Sequence, residues 1–216
     1  MAHRRAKILD DRELTTLLNW IDSSSSRPLV DRAAFLLSFK AGLRVQEIAG
    51  LQWQSALLGA TGGFRTEPFL VPGANGRTKT DQRHVLFVGD DIGKGGSERT
   101  IPLNSTLLKA LEALYAEKLE GPWVIPSAST WGNQELKARA HSLKVRLNRI
   151  YDKIPEFNGC SSHSGRRTFI TKVARQANLA NCSIVDVQML AGHRNLTTTQ
   201  GYVEVTGAQA DLVDMA

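Results

Sequence analysis

Residues 84–103 read HVLFVGDDIGKGGSERTIPL. A run rich in β-branched and aromatic side chains, a glycine-rich turn and a second short run closed by a proline together predict a β-hairpin, with Lys94 at its tip. Glycines recur from Gly59 to Arg99, and the short run FLV at 69–71 has the same β-prone character. The whole segment is therefore expected to form a small antiparallel sheet. Everything around it has helical texture. This stretch sets the fold class: mainly α with a small antiparallel β-sheet, an α+β chain.

Upstream, DDRELTTLLNWI opens on acidic capping residues and places Leu14, Leu17, Leu18 and Ile21 at helical spacing. SSSSRP at 23–28 reads as a polar loop closed by a proline, and LVDRAAFLLSFK as a second helix that stops at Gly42. Downstream, Asn104 and Ser105 cap a helix whose apolar face is Leu107, Leu108, Leu111, Leu114 and Tyr115. A further helix is expected over 134–151, with Leu136, Ala140, Leu143, Leu147 and Ile150 toward the core. Helices resume after Ser164 and after Ser183. No internal repeat or linker divides the chain, so one domain over 1–216 is expected.

The chain has 216 residues, 42% of them hydrophobic, in short periodic runs; none approaches the roughly 18 apolar residues of a membrane span. No apolar region follows the basic residues of MAHRRAKILDD, which excludes a secretory signal. A cytoplasmic protein is expected. Cys160 and Cys182 lie 22 residues apart without CxxC spacing, which supports neither a disulfide framework nor a zinc site. The net charge of +6 is concentrated: between Lys137 and Arg175 ten Lys or Arg face only Asp152 and Glu156, so that window carries +8 and the remainder −2. Such a patch is the electrostatic footprint of a polyanion-binding surface, nucleic acid above all.

Four short stretches could carry chemistry. In HSGRR at 163–167, His163 and Arg166 stand three apart, which brings them to one face of a helix or turn. Arginine neighbours repel a metal cation and suit a phosphate, whose oxygens match the guanidinium fork. In AGLRVQEIAGL at 41–51, Gly42 ends a helix, Arg44 sits in the turn and Glu47 is placed to brace its guanidinium. Lys94 is long and free to reach into a groove. In HRNLTTTQGYVEV at 193–205, His193 and Tyr202 lie nine residues apart, on opposite faces of any uninterrupted helix. Both can address one phosphate only if the chain turns between them, and Asn195 with the threonines offers a helix stop and a new cap. Taken singly, each stretch has an ordinary structural reading: a brace, a solvated lysine, a packing tyrosine.

Together, in this order and spacing, they resemble the tyrosine recombinase (phage integrase) family, over about Leu14 to Val205. That family carries an arginine in a GLRxxE turn, a lysine in a GKGxxxRxxPL hairpin, an HxxR pair, a GH dipeptide and a nucleophilic tyrosine about nine residues later. Arg44, Lys94, His163 with Arg166, His193 and Tyr202 match these positions. The sequence departs from the family in three places. HSGRR has glycine where many relatives have leucine, and AGH replaces the frequent LGH. Fifty residues separate Arg44 from Lys94, with an extra segment around GATGGFRTEPFLVPGANG that makes Lys79 a second candidate lysine. Residues preceding Arg44 suffice for two catalytic-domain helices, so the family's core-binding domain is expected to be absent.

The resemblance implies site-specific cleavage and rejoining of double-stranded DNA through a 3′-phosphotyrosyl intermediate, with no cofactor, metal or ATP. Arg44 and Arg166 would hold the non-bridging oxygens, Lys94 would protonate the leaving 5′-oxygen, His163 would act as base or hydrogen-bond partner and His193 as a phosphate donor. Glu47 would orient Arg44. Lys137, Arg139, Lys144, Arg146 and Arg149, with Arg167 and Lys172, would contact the DNA backbone. The implied assembly is a homotetramer in the synaptic complex on DNA and a monomer in free solution. Two other outcomes use the same fold: a topoisomerase IB-like or telomere-resolving strand transferase, or a DNA-binding regulator that does not cleave.

Overall fold

A computed structural model describes residues 6–72, 77–93, 98–127, 135–177 and 182–202. Lys94 and the tail after Tyr202 lie outside the described residues. Eight α-helices and three strands are found among those residues, in an order that places the sheet between the third and fourth helices.

Helix α1 (Asp11–Ser24) starts with a capping box: the Asp10 carboxylate accepts from the Glu13 N–H at 2.7 Å and the Glu13 carboxylate from the Asp10 N–H at 2.9 Å. Leu14, Leu17, Leu18 and Ile21 are its buried face, as their spacing predicts. The helix runs through Ser24, so the serine loop is shorter than expected and Pro28 already belongs to helix α2 (Pro28–Lys40). Proline suits that first turn because its missing N–H would have no helical partner there. From Val30 to Phe39 every α2 side chain but Arg32 is buried, Asp31 and Ser38 included, so α2 is the central helix of the core. Gly42 ends it with φ of +65°, and a short helix α3 (Val45–Gly50) follows with Arg44 at its N-cap.

The sheet is an antiparallel meander of β1 (Thr66–Pro72), β2 (Thr78–Val88) and β3 (Arg99–Pro102) in sequence order. Strand β2 serves two partners. Its first half pairs with β1, Thr78 opposite Pro72 through His84 opposite Thr66, and its last four residues pair with β3 from Val85 opposite Pro102 to Val88 opposite Arg99. Only the second half of β2 enters the core, through Val85, Leu86 and Val88, with Ile101 of β3 buried opposite Leu86. Of the extra segment of the sequence, residues 66–72 form β1 and pair with the first half of β2, with Leu70 77% exposed.

Helix α4 (Ser105–Ala116) is capped by the Asn104 side chain, which accepts from the Thr106 N–H. Leu107, Leu111 and Leu114 are buried; Tyr115, expected on that face, is exposed and packs its ring against Trp53 and Phe64 instead. Helix α5 (Leu136–Asp152) begins two residues later than its periodicity suggests and buries Leu143, Leu147 and Ile150. Helices α6 (Ser164–Gln176), α7 (Ile184–Ala191) and α8 (Leu196–Gln200) complete the described chain. Most buried apolar residues form one cluster around α2; Ile170, Ala177, Val187 and Ala191 form a smaller one between α6 and α7, against which Tyr202 packs. Among the described residues no helix is long and apolar enough to cross a membrane.

The glycine of HSGRR has a steric cause. A Cβ on Gly165 would lie 2.4 Å from the Ser38 Oγ and 2.7 Å from its Cβ, because α6 crosses α2 at that point. No larger side chain fits while the two helices keep this distance.

Candidate active site

The turn that carries Arg44 is held by two constraints on Gly42. Its positive φ favours glycine, and a Cβ there would strike the Phe169 ring of α6 at 2.3 Å. Close approach of this turn to α6 brings the Gly42 carbonyl to Arg166. The Arg166 guanidinium, buried, donates to the Gly42 carbonyl at 2.6 Å and to the Ala191 carbonyl at 2.5 Å. It thereby ties the Arg44 turn to the end of α7. Burial, then the neighbouring charge of Arg44, lowers its pKa to about 10, so it keeps its charge at neutral pH.

Glu47 is fully buried and stands among three guanidiniums. It accepts from the Arg44 backbone N–H at 2.8 Å and from the Arg44 Nη1 at 3.1 Å, which is the brace expected from the sequence. It also accepts two bonds from Arg99, at 3.1 and 2.9 Å. Burial alone would raise the Glu47 pKa, but the hydrogen bonds and charge of Arg99, the Arg44 backbone N–H and the charge of Arg166 outweigh it and hold the carboxylate below its ordinary range. Arg99 is the residue the sequence reading left unassigned, although it is the arginine of the GKGxxxRxxPL pattern. Its place in that pattern was the signal; its burial, which calls for a carboxylate partner, is set by the packing.

Helix α7 ends at Gly192, whose φ is +59° and whose Cα sits against the Arg99 guanidinium; a Cβ would lie 2.8 Å from its Nη1. The glycine of AGH is thus required twice. His193 follows, 9% exposed, and its Nδ1 meets the Thr199 Oγ1 of α8 at 3.0 Å. Gln188 holds the turn by donating from Nε2 to the His193 carbonyl at 3.0 Å. Desolvation, then Arg166, Arg44 and Arg99, lowers the His193 pKa to about 4, so the ring is neutral at physiological pH. The Tyr202 ring stacks on it, with centroids 5.8 Å apart and planes 26° apart. The chain turns between the two as the spacing requires, at the bend over Arg194 and Asn195 and again at Gly201 after the short helix α8. Asn195 is the N-cap of a new helix, as expected, although its side chain makes no capping bond.

His163 is the N-cap of α6 and is exposed. Its pKa lies below the ordinary histidine value, by desolvation first and then by Lys144 and Arg166, which places α5 beside this edge of the site. Lys79 stands exposed near the start of β2, nine residues from Val88 where the strand reaches Arg99. At about 3.3 Å per residue that is roughly 30 Å away.

The basic residues of α5 divide. Lys137, Lys144 and Arg149 are exposed. Arg139 is buried: it donates from Nε to the Ala49 carbonyl and from Nη2 to the Ile125 carbonyl, both at 3.0 Å, and lies 4.0 Å over the Trp123 ring. It anchors the core, and the expectation that it meets DNA is corrected. Arg146 forks onto the buried Asp31 carboxylate, Arg167 donates to the Ala6 carbonyl, and Lys172 pairs with Asp11 at 2.5 Å. These three already have partners within the chain.

Three guanidiniums against one carboxylate leave a surplus of positive charge where a neutral imidazole and a phenol face each other. Such a site suits a phosphodiester, with the phenol as nucleophile. Among the described residues no three His, Cys, Asp or Glu side chains stand close enough to hold a metal ion.

Comparison with known proteins places this arrangement in context. The sequence profile described as the phage integrase family matches residues 7–209. The tyrosine recombinase XerC of Myxococcus xanthus is 27% identical over 212 residues, 96% of this chain and 61% of that protein. The tyrosine recombinase XerA of Pyrococcus horikoshii is 27% identical over 201 residues, 93% of this chain and 57% of that protein. The chain thus spans about three fifths of the length of such relatives. Among solved structures, the Tn1549 transposon integrase in complex with transposon right-end DNA superposes with a TM-score of 0.68 at 16% identity, covering 99% of this chain and 67% of that one. The catalytic domain of bacteriophage HP1 integrase gives 0.52 at 16% identity, covering 96% and 92%. At these identities the structures establish the shared fold.

Proposed function

The chain belongs to the phage integrase family, and from that membership we propose that it is the catalytic domain of a site-specific recombinase that cuts and rejoins double-stranded DNA through a 3′-phosphotyrosyl intermediate, without metal or ATP. The observation that carries this reading is the stacking of Tyr202 on a neutral His193 beside the Arg44, Glu47 and Arg166 cluster.

In the proposed reaction the Tyr202 oxygen attacks phosphorus, its proton passes to His163, and the bond from phosphorus to the 5′-oxygen breaks. Lys94 gives the leaving oxygen a proton. The phosphoester energy is kept in the new bond, so a free 5′-hydroxyl reverses the step on a new strand without ATP. Arg44 and Arg166 stabilise the charge that builds on the non-bridging oxygens, each by about 10² to 10³ in rate. His193 adds a donor through Nε2 when Nδ1 accepts from Thr199. Lys137, Lys144 and Arg149 hold the DNA backbone next to the site. The active assembly is a homotetramer on two DNA sites, working in the cytoplasm on nucleoid DNA.

The test is covalent trapping in EDTA without ATP on sheared DNA from the source organism. Adducts that survive SDS should form with the native chain and be lost in Tyr202→Phe. DNA binding at low salt with no adduct from the native chain would overturn the reading in favour of a binding module.

A further inference from the structure

Glu47 uses its whole acceptor capacity. A carboxylate has about four lone-pair sites, and four bonds fill them: Oε1 takes the Nη1 of Arg44 and the Nη1 of Arg99, and Oε2 takes the Arg44 backbone N–H and the Nη2 of Arg99. Arg99 lies in the classical fork geometry of a paired guanidinium and is 9% exposed, whereas Arg44 spends one side-chain N–H on the carboxylate and is about a quarter exposed. The two arginines therefore play unequal parts.

We propose that Arg99 is a positioning residue that occupies Glu47 and so keeps the Arg44 guanidinium free for a phosphate. With Arg99 in place the carboxylate charge is matched from the side of β3, and Arg44 keeps the N–H groups that do not face Glu47. Without Arg99 two carboxylate sites open, and Arg44, three residues away on the same turn, closes onto them as a fork. Its charge is then spent inside the protein. Arg99 also lies against Gly192, one residue before His193, so the same side chain sets the distance from the Arg44 turn to the histidine. Arg99, five residues after Lys94 in the sequence, anchors the start of β3 at the carboxylate that orients the first arginine.

This inference rests on the reading of the cluster as a phosphate site, and it can be measured without DNA cleavage. Inorganic phosphate is titrated into the native chain, Arg99→Gln, Glu47→Gln and the double variant, following the guanidinium Nε–Hε resonances of Arg44 and Arg166. Arg99→Gln should weaken phosphate by about tenfold, the worth of one charge-assisted hydrogen bond. Adding Glu47→Gln should bring affinity back to within about threefold of native, since a neutral amide no longer competes for Arg44. Equal affinity of native and Arg99→Gln, a double variant as weak as the single one, or no phosphate binding by the native chain would each overturn the proposal. If Arg99→Gln does not fold, the comparison is made with Arg99→Lys, whose ammonium vacates one carboxylate site; a smaller loss, relieved by Glu47→Gln, is then expected. A chain that binds phosphate in this pattern yet forms no DNA adduct would leave the inference standing and overturn only the recombinase reading.

Discussion

The rings of His193 and Tyr202 stack 5.8 Å apart although the two residues stand nine positions apart in the chain. Continuous helix would set them on opposite faces. The bend at Arg194 and Asn195 and the short helix α8 reverse the chain instead, and Thr199, fully buried, holds the histidine from below.

His193 should make the fold sensitive to mild acid. Its folded pKa of about 4 lies under the ordinary value near 6.5, so between those limits the unfolded chain binds the extra proton. The stabilisation is complete above about pH 6.5 and falls toward pH 4, by about 1 to 3 kcal/mol. Glu47, whose pKa is lowered, adds stability that is present above its ordinary value near 4.3 and is lost only as pH falls further. Thermal melts from pH 7.5 to 4.5 should show the first loss, and His193→Gln should flatten it; an unchanged slope in that variant would assign the loss elsewhere.

Arg166→Ala should be destabilising as well as inactivating. It leaves the Gly42 and Ala191 carbonyls without their donor and the Arg44 turn without its tie to α7. A loss of about 2 to 4 kcal/mol in urea melts is expected, because the buried carbonyls go unpaired.

Gly165→Ala should cost about 1 to 3 kcal/mol by overpacking against Ser38. The hydroxyl of Ser38 is buried and has no hydrogen-bond partner among the described residues, so Ser38→Gly should recover much of that loss when combined with Gly165→Ala. Additive losses in the double variant would show that the two helices are not limited by this contact.

Arg139 and its exposed neighbours should separate in one pair of experiments. Arg139→Ala should lower stability by roughly 2 to 4 kcal/mol, since it empties a buried site bonded to two carbonyls. Lys144→Ala and Arg149→Ala should leave the melt unchanged and each reduce the salt dependence of DNA affinity by about 0.9 in log–log slope. A reduced slope in Arg139→Ala would return that residue to the DNA surface.

Helix α1, the hairpin and the family's residue pattern were legible from the chain because their signals are local. A capping box spans four residues, a strand shows its alternation within about five, and the family's six positions keep their order whatever the packing does. The expected turn between His193 and Tyr202 was legible for the same reason, as a matter of helical angle. What contacts decide was not. Arg139 and Lys144 sit on one helix with the same charge sign, and only the carbonyls of Ala49 and Ile125 and the ring of Trp123 make the first a core anchor. Gly165 looked like a lapse from the family pattern until the crossing of α2 and α6 left no room for a Cβ. Arg99 and Glu47 lie 52 residues apart, and nothing local in either stretch says that two hydrogen bonds join them. Chain order establishes which side chains are available; burial, which depends on every element packed around a residue, establishes whether a charge is spent inside the fold or kept for a ligand.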